Sequence, residues 1–439
     1  MSYVDFENKI IDYIMSNYDE SLEIYRNIER QVDLSDLHFN GRSIQTLAVP
    51  KIFSAEDMKH FEDFIPKCFS VFNKVIDRYI NDTGYRKLFP FSKELEELIL
   101  LPGQYDVHIP MSRVDFFFDE ETKEIKLCEI NTDGTSAMNE VRIFLDLLPL
   151  NKAFNHVLGD NYYAFELFDT WVKEFMKLWN EYSMNKPDPM VAIIDFLDKA
   201  TLNEFKRYKE AFERNGISCL ICDIRELDYD GKNLSHKGEV ISAVYRRAVT
   251  SDIMENFGDV QPFIKAARDN NVCIVGGFKT QIIHNKASFT ILHKEETKAF
   301  MSEEERAFIE CYVPLTKELS RLSADEENIY DNKDSWIIKP FDLYASKGVY
   351  AGIDYTPEKW RTLVSESIKT GEYLMQEFNT PYRSKNIDFT EEHPEVRSYC
   401  NMTCAFCYNE KLYAMYSRLS KENIIIPKVN EKVIATVIA

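Results

Sequence analysis

Ser112-Arg-Val-Asp-Phe-Phe-Phe-Asp-Glu-Glu-Thr-Lys-Glu-Ile-Lys-Leu-Cys-Glu-Ile-Asn-Thr-Asp-Gly-Thr-Ser136 is the stretch on which the fold turns. Arg113 to Phe118 and Ile125 to Asn131 are β-rich runs, and the charged Asp119 to Glu124 between them is a solvated turn. The stretch therefore predicts a β-hairpin. Residues two apart on a strand share a face, so Arg113, Asp115 and Phe117 point one way, and Leu127, Glu129 and Asn131 likewise. With the turn centred on Thr122, Asp115 lies across from Glu129 and Arg113 across from Asn131. Opposed carboxylates on a sheet repel each other. Two outcomes stay open: a plain hairpin with an acidic, solvated outer face, or a hard cation seated between the carboxylates. Asp115, Glu129 and Asn131 are the ligand types Mg²⁺ takes, with phosphate oxygens and waters completing its octahedron. The run Asn131 to Ser136 favours a site, because it gathers hydroxyls and backbone amides at a strand end.

Around this hairpin the chain has 439 residues, enough for two or three domains. Its 45% hydrophobic and 29% charged content is that of a globular protein. The net charge of −20 argues against non-specific binding to nucleic acid or anionic membrane, so any site for an anionic substrate has to be locally basic. No uncharged apolar run reaches the length of a membrane span. The first residues carry acids and lack an apolar signal core. A cytoplasmic protein is expected, with nine reduced cysteines.

Residues 1 to about 100 read as helices. Val4, Phe6, Ile10, Ile11 and Ile14 form one helical stripe. Ser54 is an N-cap with Asp57 in the first turn, followed by a stripe of Met58, Phe61, Phe64, Phe69, Phe72, Ile76 and Tyr79 whose place is the core. Helices run on from the hairpin to Trp179, and Lys186-Pro-Asp-Pro189 marks a boundary. Beyond it the grammar changes. Met190 to Asp195 and Ile217 to Asp223 are buried-type strands flanking an amphipathic helix, Thr201 to Asn215, that ends at Gly216. This β-α-β unit predicts a small parallel sheet, and it lacks a dinucleotide fingerprint. Ala243 to Arg247 and Val272 to Val275 are further strands. The last third alternates strands and helices: Trp336 to Pro340, a loop from Asp342 to Gly348, a return strand, a helix from Thr356 to Ser367, Tyr373 to Phe378, and a hairpin turning at Asn409-Glu410.

Lys339 in a strand and Lys347 beside Gly348 read either as two solvated lysines or as point charges holding a triphosphate. Cys400, Cys404 and Cys407 have the C-x₃-C-x₂-C spacing of a radical-type iron–sulfur site. The segment is a strand, and strand parity separates Cys407 from the other two, so buried free thiols are expected. The eight histidines show no zinc spacing.

Taken in order, these pieces resemble the circularly permuted ATP-grasp ligases, the class of glutathionylspermidine synthase and eukaryotic-type glutathione synthetase. The resemblance spans roughly residues 105 to 430, and its most specific part is Arg-x-Asp followed a hairpin later by Glu-x-Asn. It implies Arg113 as a substrate or phosphate arginine and Asp115, Glu129 and Asn131 as Mg²⁺ ligands. It implies contacts from Thr135 and Ser136 to the carboxylate substrate, and Tyr245-Arg246 as the substrate-binding strand. Lys286 and Lys339 resemble the two ATP lysines, with Lys347 and Gly348 in the phosphate loop. Tyr373 to Glu377 resembles the hinge strand along the adenine, so backbone hydrogen bonds to the base are expected at Gln376, Glu377 and Phe378. Arg418 resembles the arginine that closes on the substrate near the C-terminus. The loop after Lys339-Pro340 is poorer in glycine than the family's, which leaves Asp342 outside the implied metal set.

The fold implied is a mixed α+β and α/β chain. A helical region covers residues 1–100. The first part of the ATP-grasp core, with the metal-binding hairpin, covers 101–189. A Rossmann-like substrate domain follows at 190–277, and the nucleotide-binding part at 278–439. The activity implied uses ATP and Mg²⁺ to join a small-molecule or peptide carboxylate to an amine through an acyl phosphate, with Arg113, Arg246 and Arg418 converging on the carboxylate. The alternative is an ATP-binding regulatory relative without ligase turnover. Neither nucleic acid nor membrane is an expected partner, and the sequence leaves the oligomeric state and both substrates open.

Overall fold

The computed structural model describes residues 3–39, 42–184, 187–342, 346–427 and 429–439. The boundary at Lys186 and the middle of the loop from Asp342 to Gly348 fall outside the described residues, as does the side chain of Val4.

The chain opens with α1 (Tyr3–Ser16) and α2 (Tyr18–Leu34), then α3 (Ala55–Asn81). A capping box starts α3: the Ser54 side chain accepts from the Asp57 amide, and the Asp57 carboxylate accepts from the Ser54 amide. Its aromatic stripe packs on the hairpin formed by β1 (Met111–Phe118) and β2 (Ile125–Asn131). Phe61 meets Phe118 edge-on at 4.9 Å and Phe116 at 5.4 Å, and Phe64 meets Phe116 at 5.5 Å. The period-2 alternation of β1 thus turns Phe116 and Phe118 to the helix and leaves Arg113, Asp115 and Phe117 for the opposite face.

After the hairpin come α4 (Met138–Leu147) and α5 (Phe168–Ser183). The unit that follows contains β3 (Val191–Asp195), α6 (Leu202–Arg214), β4 (Cys219–Asp223), β5 (Ala243–Arg246) and β6 (Cys273–Val275). Its four strands are all parallel, in the order β6-β5-β3-β4. The helix α6 ends where Gly216 adopts φ +81°, a conformation that favours glycine. Trp171 of α5, Tyr208 of α6 and Tyr245 of β5 meet in the core, with ring centroids 5.1–5.2 Å apart.

A second four-stranded sheet, antiparallel, has the order β7-β10-β8-β9, from β7 (Thr316–Glu318), β8 (Trp336–Pro340), β9 (Tyr350–Ala351) and β10 (Tyr373–Glu377). The helix α7 (Pro357–Thr370) covers it, and Trp336, Ile338, Trp360, Val364 and Met375 form a core of their own. The largest sheet adds β11 (Arg383–Ile387), β12 (Val396–Tyr408), β13 (Lys411–Ser420) and β14 (Lys432–Ile434) to the hairpin, in the order β14-β13-β12-β1-β2, with β11 on β12. Every pairing in it is antiparallel. β12 lies directly against β1, so the hairpin and the last strands of the chain build one surface. Among the described residues no helix is long and apolar enough to cross a membrane.

Candidate active site

At its site end the hairpin has the expected pairs, Asp115 opposite Glu129 and Arg113 opposite Asn131, but the register shifts by one between Asp115 and Phe116, so that Phe116 faces Leu127 and Phe118 faces Ile125. The repulsion between the facing carboxylates is relieved by guanidinium groups. Arg113 grips Asp115 in bidentate fashion, Nε to Oδ1 at 2.7 Å and Nη2 to Oδ2 at 2.9 Å. Arg418 Nη2 donates to Oδ2 at 2.6 Å, and Asn131 Nδ2 donates to the same oxygen at 3.2 Å. Sheet register explains the meeting. Cys404 on β12 pairs with Asp115 on one side and Tyr416 on the other, and Arg418 stands two residues beyond Tyr416 on the same face. Asp115 is fully buried and its oxygens are taken, so it anchors two arginines and has no free edge for a metal.

Glu129 is different. Its side chain is 29% exposed and lines a cavity of about 400 Å³. Burial would raise its pKa, but Lys286, Arg418, Lys339 and Arg113 override that and hold it at about 2. Lys286 Nζ lies 3.5 Å from Oε2, and Asn131 Nδ2 donates to Oε1 at 3.3 Å. Lys339, on β8, donates to Gln376 Oε1 at 2.8 Å. The amide of Lys286 donates to the Phe341 carbonyl at 2.9 Å, which ties the two lysine segments together. Asp342 lines the same cavity, accepts from Gln281 Nε2 at 2.9 Å, and has its carboxyl pushed up by burial.

At one end of the cavity stand Pro314, Ile337, Gln376, Glu377 and Phe378. Here the sheet uses donors that a purine was expected to receive. The Glu377 amide donates to Leu315 O at 2.9 Å and the Phe378 amide to Ser335 O at 2.8 Å. Carbonyls and side chains remain on offer to a ligand; those two backbone donors do not.

The opposite wall is the turn after β2. Gly134 takes φ +61°, and a Cβ there would come within 2.6 Å of the Val249 side chain, so the turn packs tightly against the parallel-sheet unit. Thr135 and Ser136 line the cavity, and the Ser136 carbonyl accepts from Arg113 Nη1 at 3.0 Å. Arg247, at the end of β5, also lines it, with Nη1 2.8 Å from Glu204 Oε1. Asp195, at the end of β3, has its carboxyl pushed up to about 6 by burial, against the pull of Arg247.

Which residues could hold a metal follows from these donors. Glu129 is an ionised carboxylate with an edge on the cavity, and Asn131 adds an amide beside it. Among the described residues no group of three His, Cys, Asp or Glu is arranged to hold an ion. A carboxylate and an amide oxygen are donor types that a hard cation such as Mg²⁺ accepts, so the residues present fit Mg²⁺.

No protein-family model matches the sequence, and no curated protein matches it. Solved structures do. A glutathione synthetase-like effector from Globodera pallida superposes with a TM-score of 0.62 at 11% identity, over 95% of this chain and 97% of that one. The fold is that of a glutathione synthetase-like protein. A protein from Methylobacillus flagellatus assigned as a γ-glutamylcysteine synthetase covers 89% of this chain and 90% of its own at 10% identity, with a TM-score of 0.45.

On this glutathione synthetase-like fold, Arg113, Glu129, Asn131, Thr135, Ser136, Lys286, Lys339, Gln376, Glu377, Phe378 and Arg418 all border one cavity. Five expected residues do not. Asp115 sits behind it. Arg246 is locked in the interior: its Nη1 is 2.7 Å from Asp133 Oδ1 and 2.7 Å from Ala248 O, and its Nε donates to Gly276 O. Strand parity is the cause, since successive residues at the end of β5 face opposite ways, and Arg247 is the one turned to the cavity. Tyr245 is buried among Trp171, Phe175 and Tyr208. Lys347 and Gly348 do not line the cavity, although Ser346 and Val349 do. Cys400, Cys404 and Cys407 are separate buried thiols along β12. Sequence reasoning passed over Arg247, Asp195, Glu140 and Glu431; the Arg246-Arg247 doublet was the one local signal among them.

Proposed function

We propose that the chain is an ATP- and Mg²⁺-dependent carboxylate–amine ligase. One observation carries the reading. Lys286, Lys339, Glu129 and three arginines, Arg113, Arg247 and Arg418, come from distant parts of a chain of net charge −20 and border a single cavity. Concentrating cations there is favourable when polyanions fill the space.

In this reading ATP lies along β8 and β10, with its base between Ile337 and Phe378 and its phosphates toward Lys286 and Lys339. Glu129 and Asn131 would hold Mg²⁺, whose chemistry there would be to neutralise charge on the phosphates. Arg113, Arg247 and Arg418, with Thr135 and Ser136, bind the carboxylate and aim it at the γ-phosphorus. The carboxylate oxygen attacks, ADP leaves, and an acyl phosphate forms. An amine then displaces phosphate and the amide bond closes. The protein contributes position and fixed charge, and no side-chain nucleophile is required. We read the core as a circularly permuted ATP-grasp built from residues 101–189 and 278–439, with 190–277 as a Rossmann-like substrate domain and 1–100 as a helical N-terminal region.

The test is phosphate release from ATP and Mg²⁺ with a panel of amino acids, short peptides and amines. A ligase gives phosphate release that depends on a carboxylate. Release that ignores every carboxylate, or binding of ATP without turnover, would instead mark an ATP-binding relative.

A further inference from the structure

Each guanidinium on the cavity has its own carboxylate. Arg113 holds Asp115, Arg418 holds Asp115 and lies 3.4 Å from Glu431, and Arg247 holds Glu204. Glu140 has no such partner. It stands in the first turn of α4, just beyond the turn that carries Thr135 and Ser136, and it lines the cavity. Among the described residues it makes no ion pair, and its carboxyl accepts only its own backbone amide. The charged groups around it are Glu204 of α6, Glu431 ahead of β14 and Arg113 of β1, with Tyr416 of β13 nearby. A carboxyl without a cation, beside arginines that are each paired, is complementary to a cation that arrives from outside.

The proposed reaction brings one. Amines in neutral water are ammonium ions and have no lone pair with which to attack. Resting on the ligase reading above, we propose that Glu140 receives the incoming ammonium group and takes the proton that frees its lone pair. The step balances. The ammonium gives one proton to the Glu140 carboxylate and becomes an amine. Its lone pair forms the C–N bond at the acyl carbon, and the C–O bond to phosphorus-bound oxygen breaks, with the electron pair leaving on phosphate. The second nitrogen proton goes to the departing phosphate, and Glu140 returns its proton to solvent. Burial, and then Glu204 and Glu431, push the Glu140 carboxyl up to about 8, close to the working pH of a general base. Arrival of an ammonium draws it back to the carboxylate.

The test uses the full chain with ATP, Mg²⁺ and a panel of free amino acids and dipeptides as carboxylates. Two kinds of acceptor are compared: hydroxylamine, which is uncharged at neutral pH and needs no base, and the cationic amines glycine, ethanolamine and 1,3-diaminopropane. Glu140→Gln is expected to keep hydroxamate formation within about twofold of wild type and to lose about a hundredfold or more in coupling to cationic amines. That loss should shrink as pH rises toward the amine's own pKa. Glu140→Asp should recover part of it. Coupling of cationic amines at the wild-type rate by Glu140→Gln overturns the assignment. So does an equal loss with both acceptors in either variant, which is what a structural role would give. A wild-type enzyme that uses hydroxylamine and no cationic amine overturns it too. If wild type forms no hydroxamate with any carboxylate, the ligase reading itself fails, and the role of Glu140 with it.

Discussion

Arg418 Nη2 and Asp115 Oδ2 lie 2.6 Å apart across 303 residues of sequence. The contact joins the first strand of the hairpin to the next-to-last strand of the same sheet, and the bidentate grip of Arg113 completes it. Asp115 therefore holds two buried guanidiniums side by side. Asp115→Asn leaves Arg113 without its counter-charge and Arg418 with Glu431 alone, and a broken buried pair costs about 3–5 kcal/mol. Chemical denaturation should show a loss of that size. A loss under about 1 kcal/mol would mean that the arginines find other partners and that Asp115 is not their anchor.

Glu129 stands opposite Asp115 and should behave differently. Glu129→Gln keeps the shape and removes the charge, so turnover is expected to be lost at any Mg²⁺ concentration. Its stability signature follows from linkage. A carboxylate held at about 2 instead of its ordinary 4.5 contributes stability that is fully present above pH 4.5 and is lost as pH falls through about 2. The stability gap between wild type and Glu129→Gln should be flat from pH 5 to 7 and should close over that acid window. A gap that widens on acidification would show that the lysines and arginines do not hold this carboxylate.

Lys339 reaches Gln376 across the β8–β10 pairing, and Gln376 is held in turn by donating to Thr316 Oγ1 at 2.9 Å. The ammonium is thus set at a fixed depth in the cavity before any phosphate arrives. Lys339→Met removes a charge-assisted contact worth about 1.5–3 kcal/mol, or about ten- to a hundredfold in affinity. Calorimetry with MgATP should register that drop while the melting temperature changes little. Unchanged affinity would move the triphosphate elsewhere.

The hairpin was legible because its alternation is strict: Val114, Phe116 and Phe118 fit a core face, while Arg113 and Asp115 do not. The turn composition placed the two strands, while the one-residue register shift between Asp115 and Phe116 had no local signal. What the sequence hid depends on neighbours that only the fold supplies. The saturation of Asp115 comes from Arg418, whose position is set by the register of β12 between them, a strand that itself shifts register between Phe406 and Cys407. The amides of Glu377 and Phe378 are consumed by Leu315 and Ser335, on segments with no strong strand signal. Arg246 and Arg247 are chemically identical neighbours that strand parity turns opposite ways, and the turn after β6, where Gly276 takes φ +87°, offers its carbonyl to Arg246.

That distinction between the two arginines can be measured. Arg246 with Asp133 and Arg247 with Glu204 are both buried ion pairs. Removing either arginine alone strands a buried carboxylate and destabilises the fold, so single substitutions would not separate the roles. Neutralising both partners does, because a pair exchanged for uncharged polar groups of similar shape leaves no charge uncompensated. Arg246→Gln with Asp133→Asn should regain most of the stability lost by Arg246→Gln and retain carboxylate-dependent phosphate release. Arg247→Gln with Glu204→Gln should regain stability as well, yet the KM for the carboxylate should rise by about ten- to a hundredfold, the scale of one lost charge-assisted contact. ATP affinity should hold in both pairs, since the phosphates are assigned to Lys286 and Lys339. A wild-type carboxylate KM in the Arg247–Glu204 pair, or a raised one in the Arg246–Asp133 pair, would return the substrate arginine to the position the sequence first indicated.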